Sequence, residues 1–282
     1  MTLHHKVAVI TGAASGIGFS LAKVCQREGM RLVLADISES ALQDKVKQLR
    51  ELSTTAVVSV VCDVSKREDV LALARLTMAH FNQVDVLFNN AGISGQMGPL
   101  WEQSFTHMSH VMEVNLYGVL HGVQAFLPLM FQQSHRSHIV NMASFLGLCS
   151  ASQMAPYAMS KHAIVAMSES LYFDLSREQK PVDVSVVCPS FANTHLLVNT
   201  ERREGDQMHA MVRDLMARSR PADDVADHIL QEVKKKTFYI LPDKEVKDYC
   251  RQRADAIIHQ TAPHEHSVEK IIKSLSRRII NT

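Results

Sequence analysis

The chain has 282 residues, 46% hydrophobic and 21% charged, enough for one large α/β domain or two small ones. Its net charge of +1 gives no sign of a nucleic-acid-binding surface. Its five cysteines (Cys25, Cys62, Cys149, Cys188 and Cys250) form no CxxC pair and read as core thiols in a reducing compartment.

The opening "MTLHHKVAVITG" has too short an apolar stretch for a signal peptide. No apolar run approaches the roughly 20 residues that span a bilayer, so a cytoplasmic protein without membrane insertion is expected. Short β-branched runs then alternate with longer helix-period segments. The runs are 6–11, 31–36, 56–63, 84–90, 138–144, 182–189 and 238–242. Several are apolar almost throughout, as in parallel strands covered on both faces. Helices are predicted near 17–28, 39–52, 66–81, 104–133, 155–178, 203–217 and 222–235. The alternation implies a parallel sheet with right-handed crossovers in one domain, residues 1–245. Residues 246–282 read as a helical extension packed on the same domain or on a neighbouring subunit. In its last helix Val268, Ile271, Ile272, Leu275 and Ile279 share a face, and Ser267 is the expected N-cap.

The first strand runs into "TGAASGIG", which holds Gly12, Ser15, Gly16, Ile17 and Gly18. Glycines at such a turn allow positive φ and close approach of a pyrophosphate, and the helix that follows offers free N–H groups. The second strand ends at Asp36, 18 residues after Gly18. A carboxylate there can bind both hydroxyls of an adenosine ribose and would repel a 2′-phosphate. No basic residue at Ser15 or Ile37 offsets that charge, so NAD is expected over NADP. Asp63 and Val64 follow the third strand, where a carboxylate suits an adenine amino group. "NNAG" follows the fourth: Asn90, Ala91 and Gly92 leave room for the ribose, and Asn89 is expected to tie strands together.

In "YAMSK", Tyr157 and Lys161 lie at i and i+4, on one helical face about 6 Å apart. Read alone, the pair fits an ordinary surface helix or a phenol whose proton is made mobile by an ammonium. Taken with "TGAASGIG", Asp36, "DV" at 63–64, "NNAG", Asn115, Ser144 and "PSFANT", it resembles the short-chain dehydrogenase/reductase family, with its TGxxxGxG and YxxxK motifs, over about residues 5–242.

The resemblance implies a single Rossmann-type, doubly wound parallel sheet of seven strands in order 3-2-1-4-5-6-7, and a homodimer or homotetramer built across the two long helices. It implies that Tyr157 is the general acid/base and that Ser144, 13 residues before it, polarises the substrate oxygen. Lys161 would hold the nicotinamide ribose. At about 5 Å it would favour the phenolate by roughly 3 kcal/mol, or about two pKa units. Asn115, a poor residue inside the pattern "HVMEVNLYGV", would mark a helix break whose carbonyl holds a water linked to Lys161. Pro189 and Thr194 would flank the nicotinamide. Ser190 stands where the family usually has glycine.

Apolar residues of 93–101, 145–156 and 190–218, Trp101 and Met97 among them, are expected to surround a hydrophobic substrate. His195 is a weaker pocket candidate, and "HEH" at 264–266 lacks the further ligands of a metal site. The expected activity is NAD-dependent hydride transfer with a hydrophobic secondary alcohol or ketone. The alternatives are a silent dinucleotide-binding sensor or scaffold, and a transient-redox epimerase or dehydratase on the same fold.

Overall fold

The computed structural model describes residues 3–193 and 218–280, with residues 210, 212, 214 and 216 between them. The strands β1 (Val7–Thr11), β2 (Arg31–Asp36), β3 (Val57–Val61), β4 (Val86–Asn89), β5 (Ser137–Met142) and β6 (Val182–Val187) are all parallel. Every residue of β1, β4 and β5 is buried, because helices cover both faces. Two short strands, β7 (Ala192–Asn193) and β8 (Arg220–Pro221), pair with each other off the main sheet. The seventh strand of the sheet is therefore β9 (Tyr239–Ile240), in order β3-β2-β1-β4-β5-β6-β9. This is the expected seven-strand topology. The chain reverses direction across the sheet between β1 and β4, which opens a crevice at their carboxyl ends.

The helices are α1 (Gly16–Arg27), α2 (Glu39–Leu52), α3 (Arg67–Phe81), α4 (Phe105–Met112), α5 (Gly118–Phe131), α6 (Ala155–Arg177) and α7 (Ala222–Lys234). The single helix expected over 104–133 is interrupted by a π-helical segment, Glu113–Tyr117. The run Phe105–Phe131 is long and apolar enough to cross a membrane by length and composition, which corrects the expectation that no such stretch exists. Its most apolar window is 50% buried inside the protein, and it packs on α3 and α6. Such a helix belongs equally to the core of a folded domain.

The C-terminal extension forms α8 (Lys244–Ile258) and α9 (Ser267–Ile280). Val246 and Tyr249 of α8, with Val268 and Ile272 of α9, join a cluster that holds Phe145, Leu146, Met154 and Tyr157. The extension thus packs on its own chain. Ile271 falls to the edge of the buried stripe and is partly exposed. The N-cap of α9 is His266 rather than Ser267: its Nδ1 accepts from the Glu269 N–H at 3.4 Å, while the Ser267 hydroxyl pairs with that of Tyr249 at 2.5 Å.

Candidate active site

The glycine turn after β1 is folded tightly against the end of β4. Gly12 has φ 64° and Gly16 has φ 50°, backbone that L side chains rarely adopt. A Cβ on Gly18 would lie 2.1 Å from the Gly12 carbonyl oxygen and 2.6 Å from Asn90 Nδ2. Asn90 Nδ2 donates to the carbonyls of Thr11 (2.9 Å) and Gly12 (3.2 Å). The Thr11 hydroxyl accepts from the backbone of Asn90 and Ala91. The loop is therefore held open as a cradle at the start of α1. Its shape and the N–H groups of that helix terminus fit a dinucleotide pyrophosphate.

Asp36 closes one side. Its Oδ2 accepts from the Ala14 N–H at 2.9 Å, and its Oδ1 accepts from the Ser38 N–H at 3.0 Å. Each oxygen keeps a further lone pair for a ribose hydroxyl. Asp63 accepts from the backbone and the hydroxyl of Ser65. Burial alone would raise the Asp63 pKa; the Ser65 hydrogen bonds and the nearby Lys66 ammonium outweigh it and hold the group below the usual range. Asn89 is directed away from the crevice: its Nδ2 donates to Asn141 Oδ1 at 2.9 Å, joining β4 to β5 as expected.

At the other end of the crevice, α6 presents Tyr157 and Lys161 on one face. The Lys161 ammonium lies 5.4 Å from the centre of the Tyr157 ring and donates to the Met142 carbonyl at 2.9 Å. Ser144 follows β5, and its Oγ accepts from the Leu146 N–H at 3.2 Å. Burial pushes the Tyr157 phenol up to about 12, opposed by a hydrogen bond with Ser144. Burial likewise pulls Lys161 down to about 8. The expected fall in the phenol pKa is thus not what this environment gives. Both groups are buried, and the loss of hydration disfavours the charged form of each.

Asn115 sits inside the π-helical segment. Its Oδ1 accepts from the Ile93 N–H at 2.8 Å, and its Nδ2 donates to the Ile93 carbonyl at 2.9 Å and to Ser160 Oγ at 3.0 Å. One amide thereby ties the segment after β4 to α6, next to Lys161. A single wide turn of this kind recurs at functional sites.

Most of these groups open on one crevice of about 380 Å³. Gly12, Ser15, Gly16, Ile17, Asp36, Asp63, Val64, Asn90, Ala91 and Gly92 line one part of it, and Ser144, Tyr157, Lys161, Pro189 and Ser190 another. Gly18 shapes the cradle from behind, and Asn115 braces the wall rather than lining it.

The profile of the family described as short chain dehydrogenase matches residues 6–205. The chain belongs to the short-chain dehydrogenase family. A member from Burkholderia phymatum, solved in complex with NAD, shares 38% identity with a TM-score of 0.89, over 94% of this chain and 99% of that one. The CLA biosynthesis dehydrogenase/reductase of Lactiplantibacillus plantarum is 30% identical over 95% of this chain and 98% of its own length. The 1-deoxy-11-beta-hydroxypentalenate dehydrogenase of Streptomyces avermitilis is 33% identical over 88% of each. As a member of this family the chain is an oxidoreductase acting on alcohol or ketone groups.

Of the residues expected around the substrate, Ile93, Phe145, Leu146, Met154, Phe191 and Met216 line the crevice. Met97 is buried in the cluster behind it, and Trp101 is 85% exposed on the surface, outside the lining. Thr194 and His195 lie outside the described residues. Ser190, where the family usually carries glycine, donates its N–H to Asp243 Oδ2 at 2.7 Å, so the carboxylate before α8 anchors this loop. Sequence reading missed the Met142 carbonyl, the Thr11 hydroxyl and Ser160, whose signals are backbone or small polar groups with no distinctive spacing. It also missed His110, which lines the crevice from α4.

Proposed function

We propose that the chain is an NAD-dependent oxidoreductase that interconverts an apolar secondary alcohol and its ketone, with Tyr157 as general acid/base. The observation that carries this reading is the convergence of Ser144, Tyr157 and Lys161 on the crevice that also holds the glycine cradle and Asp36. A nicotinamide dinucleotide held there supplies hydride acceptance and donation. Gly12, Gly16 and the first N–H groups of α1 would seat its pyrophosphate, and Asp36 its adenosine ribose. The same carboxylate, with no neighbouring cation from Ser15 or Ile37, disfavours a 2′-phosphate.

Tyr157 handles the proton of the reacting oxygen. Its phenol, held protonated by burial, is the form that donates to a ketone oxygen; its phenolate is the form that accepts from an alcohol. The Ser144 hydroxyl donates to the same oxygen and stabilises charge that develops on it. Lys161 supports the phenolate and, with a pKa brought to about 8 by burial, can pass a proton onward. Asn115 fixes the wall on which Lys161 rests.

An apolar substrate is supported by the lining around Ser144 and Tyr157: Phe145, Leu146, Met154, Phe191, Val212 and Met216. Incubation of the chain with NAD⁺ and a graded set of secondary alcohols, with the ketone product identified by mass spectrometry, tests the reading. Ketone formation from the apolar members supports it; turnover confined to sugars and polyols would remove the substrate class. Large apolar side chains exposed on the long helices, Tyr117 of the π-helical turn and Met159, Tyr172 and Phe173 of α6, support assembly into a homodimer or homotetramer. Light scattering on the purified protein decides that point.

A further inference from the structure

We propose that the C-terminal extension sets the size of substrate accepted, by holding the Phe145 ring as the apolar wall beside Ser144 and Tyr157. The inference rests on the oxidoreductase reading above and deepens it.

Phe145 directly follows Ser144 and lines the crevice, yet only 2% of it is exposed. Its backbone is fixed from one side, where the Phe145 N–H donates to the Pro189 carbonyl at 2.9 Å. Its ring is fixed from three directions. Phe191 of the crevice meets it at 5.6 Å between centroids, Tyr249 of α8 at 6.0 Å, and His266 at 6.3 Å, edge to face. Two of these three rings come from the extension, and neither lines the crevice itself. They therefore act on a substrate through Phe145.

The loop that follows Phe145 is held from the same side. Arg253 of α8 donates to the Leu148 carbonyl at 3.0 Å. His266 Nε2 donates to the Ser150 carbonyl at 2.9 Å. Glu269 of α9 accepts from the Ser152 N–H at 2.7 Å and from its hydroxyl at 2.9 Å. These contacts fall at alternate residues between Phe145 and Met154, both crevice residues. His266 is itself over-determined. Nε2 donates to a carbonyl, Nδ1 accepts from Glu269, and the ring lies 4.9 Å from that of Tyr249. A ring held this closely has low rotamer freedom, so the wall it backs is pre-organised. The ligand chemistry that gains from such a wall is a bulky aromatic or alicyclic group on the carbinol carbon. A small alcohol reaches Ser144 and Tyr157 without needing it.

The test compares 1-phenylethanol with 2-butanol as substrates of the full chain, with NADH affinity read separately by fluorescence. His266→Ala should raise KM for 1-phenylethanol about tenfold with kcat changed less than about twofold, while KM for 2-butanol and the NADH Kd stay put. His266→Phe, which keeps a ring against Phe145, should recover most of the loss. Tyr249→Leu should reproduce the split and carries the test if His266→Ala does not fold. Equal changes for both alcohols, no change for either, or a parallel loss of NADH affinity would overturn the proposal. If the wild type oxidises neither alcohol, the oxidoreductase reading is what has failed in this assay. Hydrogen exchange across residues 145–154 then decides the present inference: faster exchange in His266→Ala supports it, and unchanged exchange overturns it.

Discussion

The Lys161 ammonium lies 5.4 Å from the centre of the Tyr157 ring and donates to the Met142 carbonyl. The pair is buried, and burial drives the two groups apart in pKa, Tyr157 up to about 12 and Lys161 down to about 8. At neutral pH the phenol is protonated. In the proposed mechanism ketone reduction uses that form, and alcohol oxidation uses the phenolate. The rate of oxidation should therefore rise with pH across the range from about 7 to about 10, and reduction should not. Initial rates in both directions over that range check this, and a flat oxidation profile would contradict it.

The same burial makes a stability prediction. Lys161 is depressed from 10.5 to about 8, so between those values the unfolded chain binds more protons than the folded one. The stability contributed at this site must rise with pH through that window, with a slope of at most about 1.4 kcal/mol per pH unit. Lys161→Met removes the term. Urea denaturation of the two proteins should show the variant at its greatest relative advantage below pH 8, with the gap narrowing towards pH 10.5.

At Gly18 an added methyl group would lie 2.1 Å from the Gly12 carbonyl oxygen, which is backbone and cannot step aside cheaply. Gly18→Ala should cost about 1–3 kcal/mol in unfolding free energy. It should also weaken NADH binding, because the displaced backbone is the cradle itself. A variant with wild-type stability and wild-type NADH affinity would show that the turn is looser than the geometry implies.

Asp36 braces the loop through the Ala14 N–H, and in the proposed function its charge also disfavours a 2′-phosphate. Asp36→Ala should raise KM for NAD⁺ by about tenfold, the value of one lost charged hydrogen bond. Because repulsion disappears as well, KM for NADP⁺ should fall at the same time. Kinetics with both dinucleotides separate the two effects, and an unchanged preference would assign discrimination to another residue.

Much of the sheet was legible because parallel strands buried on both faces leave near-continuous apolar runs, and because glycine and Asx residues mark the ends of β1, β2, β3 and β4. Asn115 stood out as an unfavourable residue in a helical pattern, and it lies within the π-helical turn. The amphipathic stripe of α9 was readable, but not what it covers: Phe145 and His266 are 121 residues apart, and only the folded chain brings their rings to 6.3 Å. The Tyr157 phenol is shifted opposite to the expected direction for a related reason. Spacing reveals the neighbouring ammonium, whereas the burial that outweighs it is a property of the whole enclosure. Trp101 looked like a pocket residue from its position after β4, yet the short helical turn that carries it faces solvent.

In the proposed function Tyr157 is the proton-transfer group of an NAD-dependent alcohol/ketone oxidoreductase. The most direct test follows the near-ultraviolet absorbance of reduced nicotinamide with NAD⁺ and, in parallel, NADP⁺, for the wild type and Tyr157→Phe on apolar secondary alcohols. The expected result is turnover with NAD⁺ well above NADP⁺, a loss of at least about a hundredfold in Tyr157→Phe, and unchanged NADH binding in that variant. Turnover that survives in Tyr157→Phe would contradict it.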